Sequence, residues 1–195
     1  MSQTARLRLF CFVVLIAICL IIPSHIVYTN IHKKAQITRR IIHHLKYENG
    51  IEEETARVIS RTVYEESEYH KIDYRLILAL MKIESNFKND AVSSKGARGL
   101  LQVKPSVARY IADDVGVKWT GHKTLDKPDS NIKIGTHFFS MLLSDFKDVN
   151  AALKAYNMGP TRVRTLPSSG IRTQKGFSGL VLNEYKKNSS AFPEP

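Results

Sequence analysis

The stretch Leu76-Ile77-Leu78-Ala79-Leu80-Met81-Lys82-Ile83-Glu84-Ser85-Asn86-Phe87 decides how the chain is read. It has the composition of an apolar helix that ends in a carboxylate, with Asp73 placed to cap its start. Ile77, Leu80 and Glu84 are spaced three and four apart and share one face. That face is apolar except for Glu84, while Arg75 and Lys82 fall on the opposite side. Asn86 and the polar run after it end the helix, so Glu84 sits in the last turn. Apolar neighbours disfavour its charged form, and so does the negative end of the helix dipole. A carboxyl group held protonated near neutral pH is what a general acid requires. A helix C-terminus whose Glu turns out to water has the same local sequence, so this stretch alone leaves both readings open.

Working outward, the chain reads as a series of helices. Gly50 and the acidic Glu52-Glu53-Glu54 open a helix that runs to about Tyr69, its inward positions Val58, Ile59, Thr62 and Val63. Residues 86–99 are rich in Asn, Ser, Gly and Lys and form a loop. Gly96 and Gly99 bracket a turn that leads into the short apolar piece Leu100-Leu101-Gln102-Val103. Pro105 starts the next helix, which Gly116 stops. Residues 117–126 are irregular and hold Trp119, either a core residue or a platform for a ring. Pro128-Asp129 opens a long helix to about Phe146, with Ile132, Ile134, Phe138, Met141 and Leu142 at helical spacing. Asp148 or Asn150 caps residues 151–157, and Gly159-Pro160 breaks that helix. A last helix is predicted over residues 173–187, followed by a frayed tail. No window alternates as a strand does, so the fold class is all-α, with room for one very small hairpin in the loops around Glu84.

At the N-terminus, residues 9–22 form an unbroken apolar run, extended past Pro23-Ser24-His25 by Ile26-Val27-Tyr28. Residues 9–28 just reach the length that spans a bilayer. No small-residue cleavage site follows, so an uncleaved transmembrane anchor is expected ahead of a cleaved signal peptide, which would leave the rest secreted. Arg6 and Arg8 precede the run, but Lys33, Lys34, Arg39 and Arg40 follow it, so charge alone does not place the C-terminal part outside. Residues 29–49 read as a basic, membrane-proximal connector in which Ile31, Ala35, Thr38, Ile42 and Leu45 recur at helical steps. His43-His44 are adjacent on that helix and do not converge on one ion, so no metal site is expected.

The formal net charge is +11. Arg6 and Arg8 are the only charged side chains among the first thirty residues, so the excess lies in the part that follows and suggests an anionic partner. Cys11 and Cys19 both fall in the apolar run. The remainder therefore has neither a disulfide nor thiol chemistry, which fits an oxidising compartment as well as any other.

Three stretches combine once Glu84 is taken as a centre: Glu84-Ser85, then Gly96-Ala97-Arg98-Gly99-Leu100-Leu101-Gln102, then Ala155-Tyr156-Asn157-Met158-Gly159. In order and spacing they resemble the SLT-type, goose-lysozyme-like lytic transglycosylases of family 1, over residues 72–164. The Met of the family's loop motif is Leu101 here. Near the C-terminus the family's Glu-Thr is replaced by Arg172-Thr173, followed by Gly176-Phe177. The resemblance implies a lysozyme-like fold and cleavage of the β-1,4 bond between N-acetylmuramic acid and N-acetylglucosamine. One Glu would act as acid and then as base, closing a 1,6-anhydro ring without water; Glu84 matches it. Ordinary glycosidases need two carboxylates, and no second one is evident beside Glu84. By the same resemblance Ser85, Ser93, Gln102, Tyr156 and Asn157 are expected to bind substrate, and no cofactor is called for.

The organisation expected is therefore a membrane anchor or signal segment over residues 1–28, the connector over 29–49, a lysozyme-like catalytic domain over 50–187 and a flexible tail over 188–195. The implied partners are peptidoglycan strands and the bacterial inner membrane, with the catalytic domain in the periplasm or outside. The modest size, without a wall-binding repeat, leans toward local use with an envelope-spanning assembly. A hydrolytic lysozyme of the same fold and an inactive glycan-binding scaffold remain as rivals. A nucleic-acid binder is not expected, since no DNA-reading helix is recognisable.

Overall fold

The structure is a computed structural model and describes residues 28–195. The chain divides into two units, residues 1–36 and 37–195. In the first, residues 28–36 are helical and exposed. The expected span over residues 9–28 lies outside the described residues but for Tyr28. Among the described residues no helix is long and apolar enough to cross a membrane.

The second unit is built from helices. Residues 37–43 (α1) run into a π-helical turn, His44–Glu48. There follow α2 (Glu53–His70), α3 (Tyr74–Ser85), α4 (Pro105–Ile111), α5 (Pro128–Phe146), α6 (Val149–Met158), α7 (Pro160–Arg164), α8 (Ser168–Arg172) and α9 (Phe177–Ala191). Short 3-10 turns, Asp113–Val115 and His122–Asp126, fill the connection between α4 and α5.

The helix starts are chemically marked. Asp73 accepts from the Arg75 amide at 2.9 Å, and Asp148 accepts from that of Ala151 at 2.7 Å. Glu52 caps α2 by accepting from the amides of Glu54 and Thr55, both at 2.9 Å. Each such cap stabilises a helix by about 1 kcal/mol. Pro105, Pro128 and Pro160 occupy first-turn positions, where a missing N–H costs nothing.

Helix α3 is the centre. Leu76, Ile77, Leu78, Ala79, Leu80 and Met81 are all buried, as a helix apolar on nearly every side must be. It lies against α9 and α2, while α5 packs on α2 and α6. This arrangement fixes the end of α3, and with it Glu84, deep in the unit.

Three boundaries differ from the sequence expectation. The core begins at Ile37, because Ile37, Ile41 and Leu45 recur every fourth residue and are almost completely buried. Residues 37–49 are thus core structure and not connector. His44 belongs to the same packing: its ring lies edge-on to Phe87 and Phe192, and its Nδ1 is 2.8 Å from Glu48. The C-terminal tail is also held, since α9 continues to Ala191 and Phe192 is buried. The Tyr74 hydroxyl donates to the Pro193 carbonyl at 2.5 Å. The last helix starts at Phe177 rather than near residue 173, because Gly176 has φ 67° and Thr173 is extended.

The loop after α3 folds back on itself without forming a strand. Isolated bridges join Val92 to Arg98 and Arg98 to Val103. They stand where the small hairpin was expected.

Candidate active site

A cleft of about 600 Å³ opens where the end of α3, the loop over residues 93–104, and helices α5, α6 and α7 meet. Glu84, Ser93, Gln102, Tyr156 and Asn157 all line it. Five of the six residues expected at the site therefore converge, although they are spread over more than seventy positions of sequence.

Among the described residues lining the cleft, Glu84 is the only carboxylate. Burial pushes its pKa up to about 8 from an ordinary 4.5. No cation counters the shift, as desolvation is its only cause. Burial thus favours the protonated form of the group near neutral pH while it lines an open cleft, the condition a general acid needs.

Tyr156, on α6, stands beside it. Burial, and then the charge of Glu84, hold the phenol protonated well above its ordinary range. Its hydroxyl donates to the Leu101 carbonyl at 2.7 Å, and its ring packs on Phe138 and Phe139. The phenol is a structural donor and does not stack freely in the cleft.

Gln102 takes the left-handed conformation, φ 45°, unusual for a residue with a side chain. Its amide nitrogen donates to the carbonyls of Ala91 and Gly99 at 3.0 and 2.9 Å. Two carbonyl neighbours require the NH₂ end there, so the amide oxygen remains for a ligand. Ser93 closes the turn beneath it: its Oγ accepts from the Ala97 amide at 3.0 Å. Asn157 is exposed at the end of α6.

Ser85 does not reach the cleft. It is buried, and its hydroxyl faces the carbonyls of Leu100 and Met81 at 2.8 and 3.2 Å. Its hydroxyl ties the loop to the helix that carries Glu84. Trp119 likewise packs against the core and does not line the cleft. Gly99, expected to let the backbone approach a sugar, instead faces inward: a Cβ there would meet Asn131 Nδ2 at 2.1 Å and the Leu125 carbonyl at 2.2 Å.

Sequence reasoning missed Asn131, which is fully buried on α5. Its Oδ1 accepts from the Leu101 amide at 2.8 Å. Its Nδ2 donates to the carbonyls of Arg98 and Leu125 at 2.9 and 2.8 Å. Gly135, one turn further on, lets Leu101 lie directly on α5, since a Cβ there would meet Leu101 Cδ1 at 2.6 Å. The signal was present as Asn131 and Gly135, four apart, on an otherwise apolar helix face. Beside them Arg98 pairs with Asp126 through two bonds of 2.9 and 2.7 Å. Among the described residues no group of His, Cys, Asp and Glu is arranged to hold a metal ion.

Known proteins resemble this chain in sequence and fold. The family model described as the transglycosylase SLT domain matches residues 61–172. The chain is 35% identical over 128 residues to membrane-bound lytic murein transglycosylase C of Sodalis glossinidius, covering 64% of this chain and 32% of that protein. It is 33% identical over 90 residues to the soluble lytic murein transglycosylase of Salmonella typhimurium, 45% of this chain and 14% of that one. The chain thus spans under a third of the length of these relatives. Among solved structures, an inactive glutamate-to-glutamine mutant of the lytic transglycosylase Slt from Pseudomonas aeruginosa superposes with a TM-score of 0.57 at 26% identity, over 69% of this chain and 25% of that one. The 70 kDa soluble lytic transglycosylase of Escherichia coli shares the fold, with a TM-score of 0.59 at 20% identity over 80% of this chain and 30% of that one.

Proposed function

The chain belongs to the transglycosylase SLT domain family, and on that premise we propose that it is a peptidoglycan lytic transglycosylase whose single catalytic carboxyl is Glu84. The observation that carries this reading is the lone carboxyl of the cleft, kept protonated near neutrality by burial. In the proposed reaction Glu84 donates its proton to the glycosidic oxygen between N-acetylmuramic acid and N-acetylglucosamine, and that C–O bond breaks. The carboxylate then takes the proton of the C6 hydroxyl of the same muramic acid as O6 bonds to C1. Glu84 ends protonated, a 1,6-anhydro ring forms, and no water is consumed. Glycosidases that deliver a nucleophile or activate water use a second carboxylate about 5–10 Å away, and Glu84 has no such companion lining the cleft.

The neighbours take supporting roles in this scheme. The amide oxygen of Gln102 accepts from an acetamido N–H. Asn157 and Ser93 offer polar groups to the strand at the cleft mouth. Tyr156 holds the Leu101 carbonyl and walls the carboxyl from solvent. In the cell, residues 1–28 tether the catalytic unit to the membrane or direct its export, with the cleft on the wall side. The membrane-bound Sodalis relative supports the association with a membrane.

Digestion of purified sacculi tests the reaction. The expected products carry 1,6-anhydro ends, lighter by one water than reducing ends. Reducing ends alone would make the protein a hydrolytic lysozyme, and bound sacculi without soluble products would make it a scaffold.

A further inference from the structure

The chain turns sharply just beyond the acid. Asn86 and Phe87 are both left-handed, with φ 52° and 63°. Two such residues in succession persist only where their surroundings hold them. Phe87 is buried, and two groups fix its ring. The His44 ring stands edge-on to it, with centroids 5.9 Å apart, and the Lys82 ammonium lies 5.5 Å from its centre. Asn86 closes the last turn of α3 by donating its amide to the Lys82 carbonyl at 3.0 Å. Lys82 and Phe87 therefore flank the turn that carries Glu84.

Both holds lead back to the π-helical turn, a local structure frequent at functional positions. Lys82 Nζ donates to Asn49 Oδ1 at 2.7 Å, and Asn49 Nδ2 donates to the His44 carbonyl at 3.1 Å. Those two partners fix which end of the Asn49 amide is which. The same Nδ2 lies 3.1 Å from His44 Nε2, so Nε2 accepts and the ring proton sits on Nδ1, which donates to Glu48 at 2.8 Å. On the far side the Arg40 guanidinium donates to Glu48 and to the Ala191 carbonyl, both at 3.2 Å. It also lies 5.2 Å over Phe192, whose ring meets His44 edge-on. His44 is thus held in one tautomer and one orientation. A histidine that only filled space would need neither nitrogen bonded.

We propose that His44 is a positioning residue for Glu84: through Phe87, and through Asn49 and Lys82, it holds the left-handed pair that ends α3 and so fixes where the carboxyl points. This rests on the reading of Glu84 as the acid. Burial alone raises Glu84 to about 8. Loosening its turn would admit water and lower it toward 4.5. Tyr156 is the titratable group of α6 beside it, and Lys95, Lys104 and Arg162 line the same cleft without contributing to that rise.

The test compares the full chain with His44→Ala, His44→Phe and Asn49→Ala, each assayed below its melting temperature. One readout is turnover on sacculi against pH. The other is the carboxyl titration of Glu84 followed by NMR on 13C-labelled Glu, its signal identified by its loss in Glu84→Gln. His44→Ala is expected to lower kcat roughly ten- to hundredfold with KM little changed. Its titration midpoint, and the pH above which kcat declines, are expected to move down by about one pH unit. His44→Phe keeps a ring against Phe87 and should recover part of the lost kcat. Asn49→Ala cuts the tie to Lys82 and should shift both readouts in the same direction, which decides the matter if His44→Ala does not fold. Variants that melt earlier yet keep the wild-type midpoint, or that raise KM alone, overturn the proposal. If the wild type releases no anhydro product, the proposed reaction fails, and the NMR titration still decides whether His44 positions Glu84.

Discussion

Ser85 and Asn131 hold opposite ends of one peptide group. The Ser85 hydroxyl donates to the Leu100 carbonyl and Asn131 Oδ1 accepts from the Leu101 amide, each at 2.8 Å. Leu100 and Leu101 are themselves fully buried. The clamp joins the helix that presents Glu84 to the loop that presents Gln102, and it braces both on α5. Tyr156 extends it by bonding the next carbonyl, that of Leu101.

Removing either end therefore acts on stability and activity together. Asn131→Ala leaves the Leu101 amide and the Leu125 carbonyl without partners, while the Arg98 carbonyl keeps the Val103 amide. With about 1–3 kcal/mol for each buried unsatisfied group, the expected loss is about 3–5 kcal/mol. Ser85→Ala leaves one carbonyl unpaired and is expected to cost about 1–2 kcal/mol. Urea denaturation measures both. In the surviving Ser85→Ala protein, kcat is expected to fall more than KM rises, because Ser85 positions the acid and does not touch the strand. A selective rise in KM would instead return Ser85 to substrate binding.

Helix α3 was legible because its signals are local: an Asp cap, apolar residues on nearly all sides, and a stop at Asn86. The loop clamp was not legible, since Asn131 and Leu101 meet only through tertiary packing. Charge concealed the start of the core. The basic residues of 29–49 suggested a surface connector, while the fourfold stripe of Ile37, Ile41 and Leu45 was buried beneath them. Phe192 was hidden in the same way, as one apolar residue in a polar tail.

Two glycines three residues apart separate steric need from conformational need. Both have positive φ, 77° at Gly96 and 75° at Gly99. A Cβ at Gly96 meets nothing within 4 Å, whereas at Gly99 it collides with Asn131 and Leu125. Gly96→Ala should cost only about 1–2 kcal/mol, the left-handed penalty of an alanine. Gly99→Ala should cost more than about 3 kcal/mol, because the clash falls on backbone and on a fully bonded amide. Equal losses in chemical denaturation would refute the packing described for Gly99.

The extent of the folded unit can be tested by truncation. A chain starting at residue 37 keeps Ile37, Ile41 and Leu45, and is expected to melt as the longer protein does. A chain starting at Gly50 exposes the surfaces that these three side chains cover. At about 1.5–3 kcal/mol for each buried aliphatic residue, that loss is comparable with the whole stability of a small domain. The shorter chain is therefore expected to be unfolded or aggregated by circular dichroism and gel filtration. A cooperative melt within a few degrees of the longer protein would place the boundary at Gly50 after all.

Glu84 makes both activity and stability fall as pH rises. Folding raises its pKa from 4.5 to about 8, so the folded state binds the proton more tightly than the unfolded state. The stabilisation that results is full below pH 4.5 and is lost as pH rises through about 8. Gln cannot ionise and escapes that loss. Glu84→Gln is thus expected to melt close to the wild type at pH 4 and several degrees above it at pH 9. Activity also falls as pH rises. Only the protonated acid can begin the reaction, so wild-type kcat is expected to decline above pH about 8. The Gln variant should be slower by roughly a hundred- to ten-thousandfold at every pH. Melting curves from pH 4 to 9, beside turnover on sacculi, separate the two effects. Equal melting of both proteins at pH 9 would show that Glu84 is solvated rather than buried. An active Gln variant would move the acid to another residue.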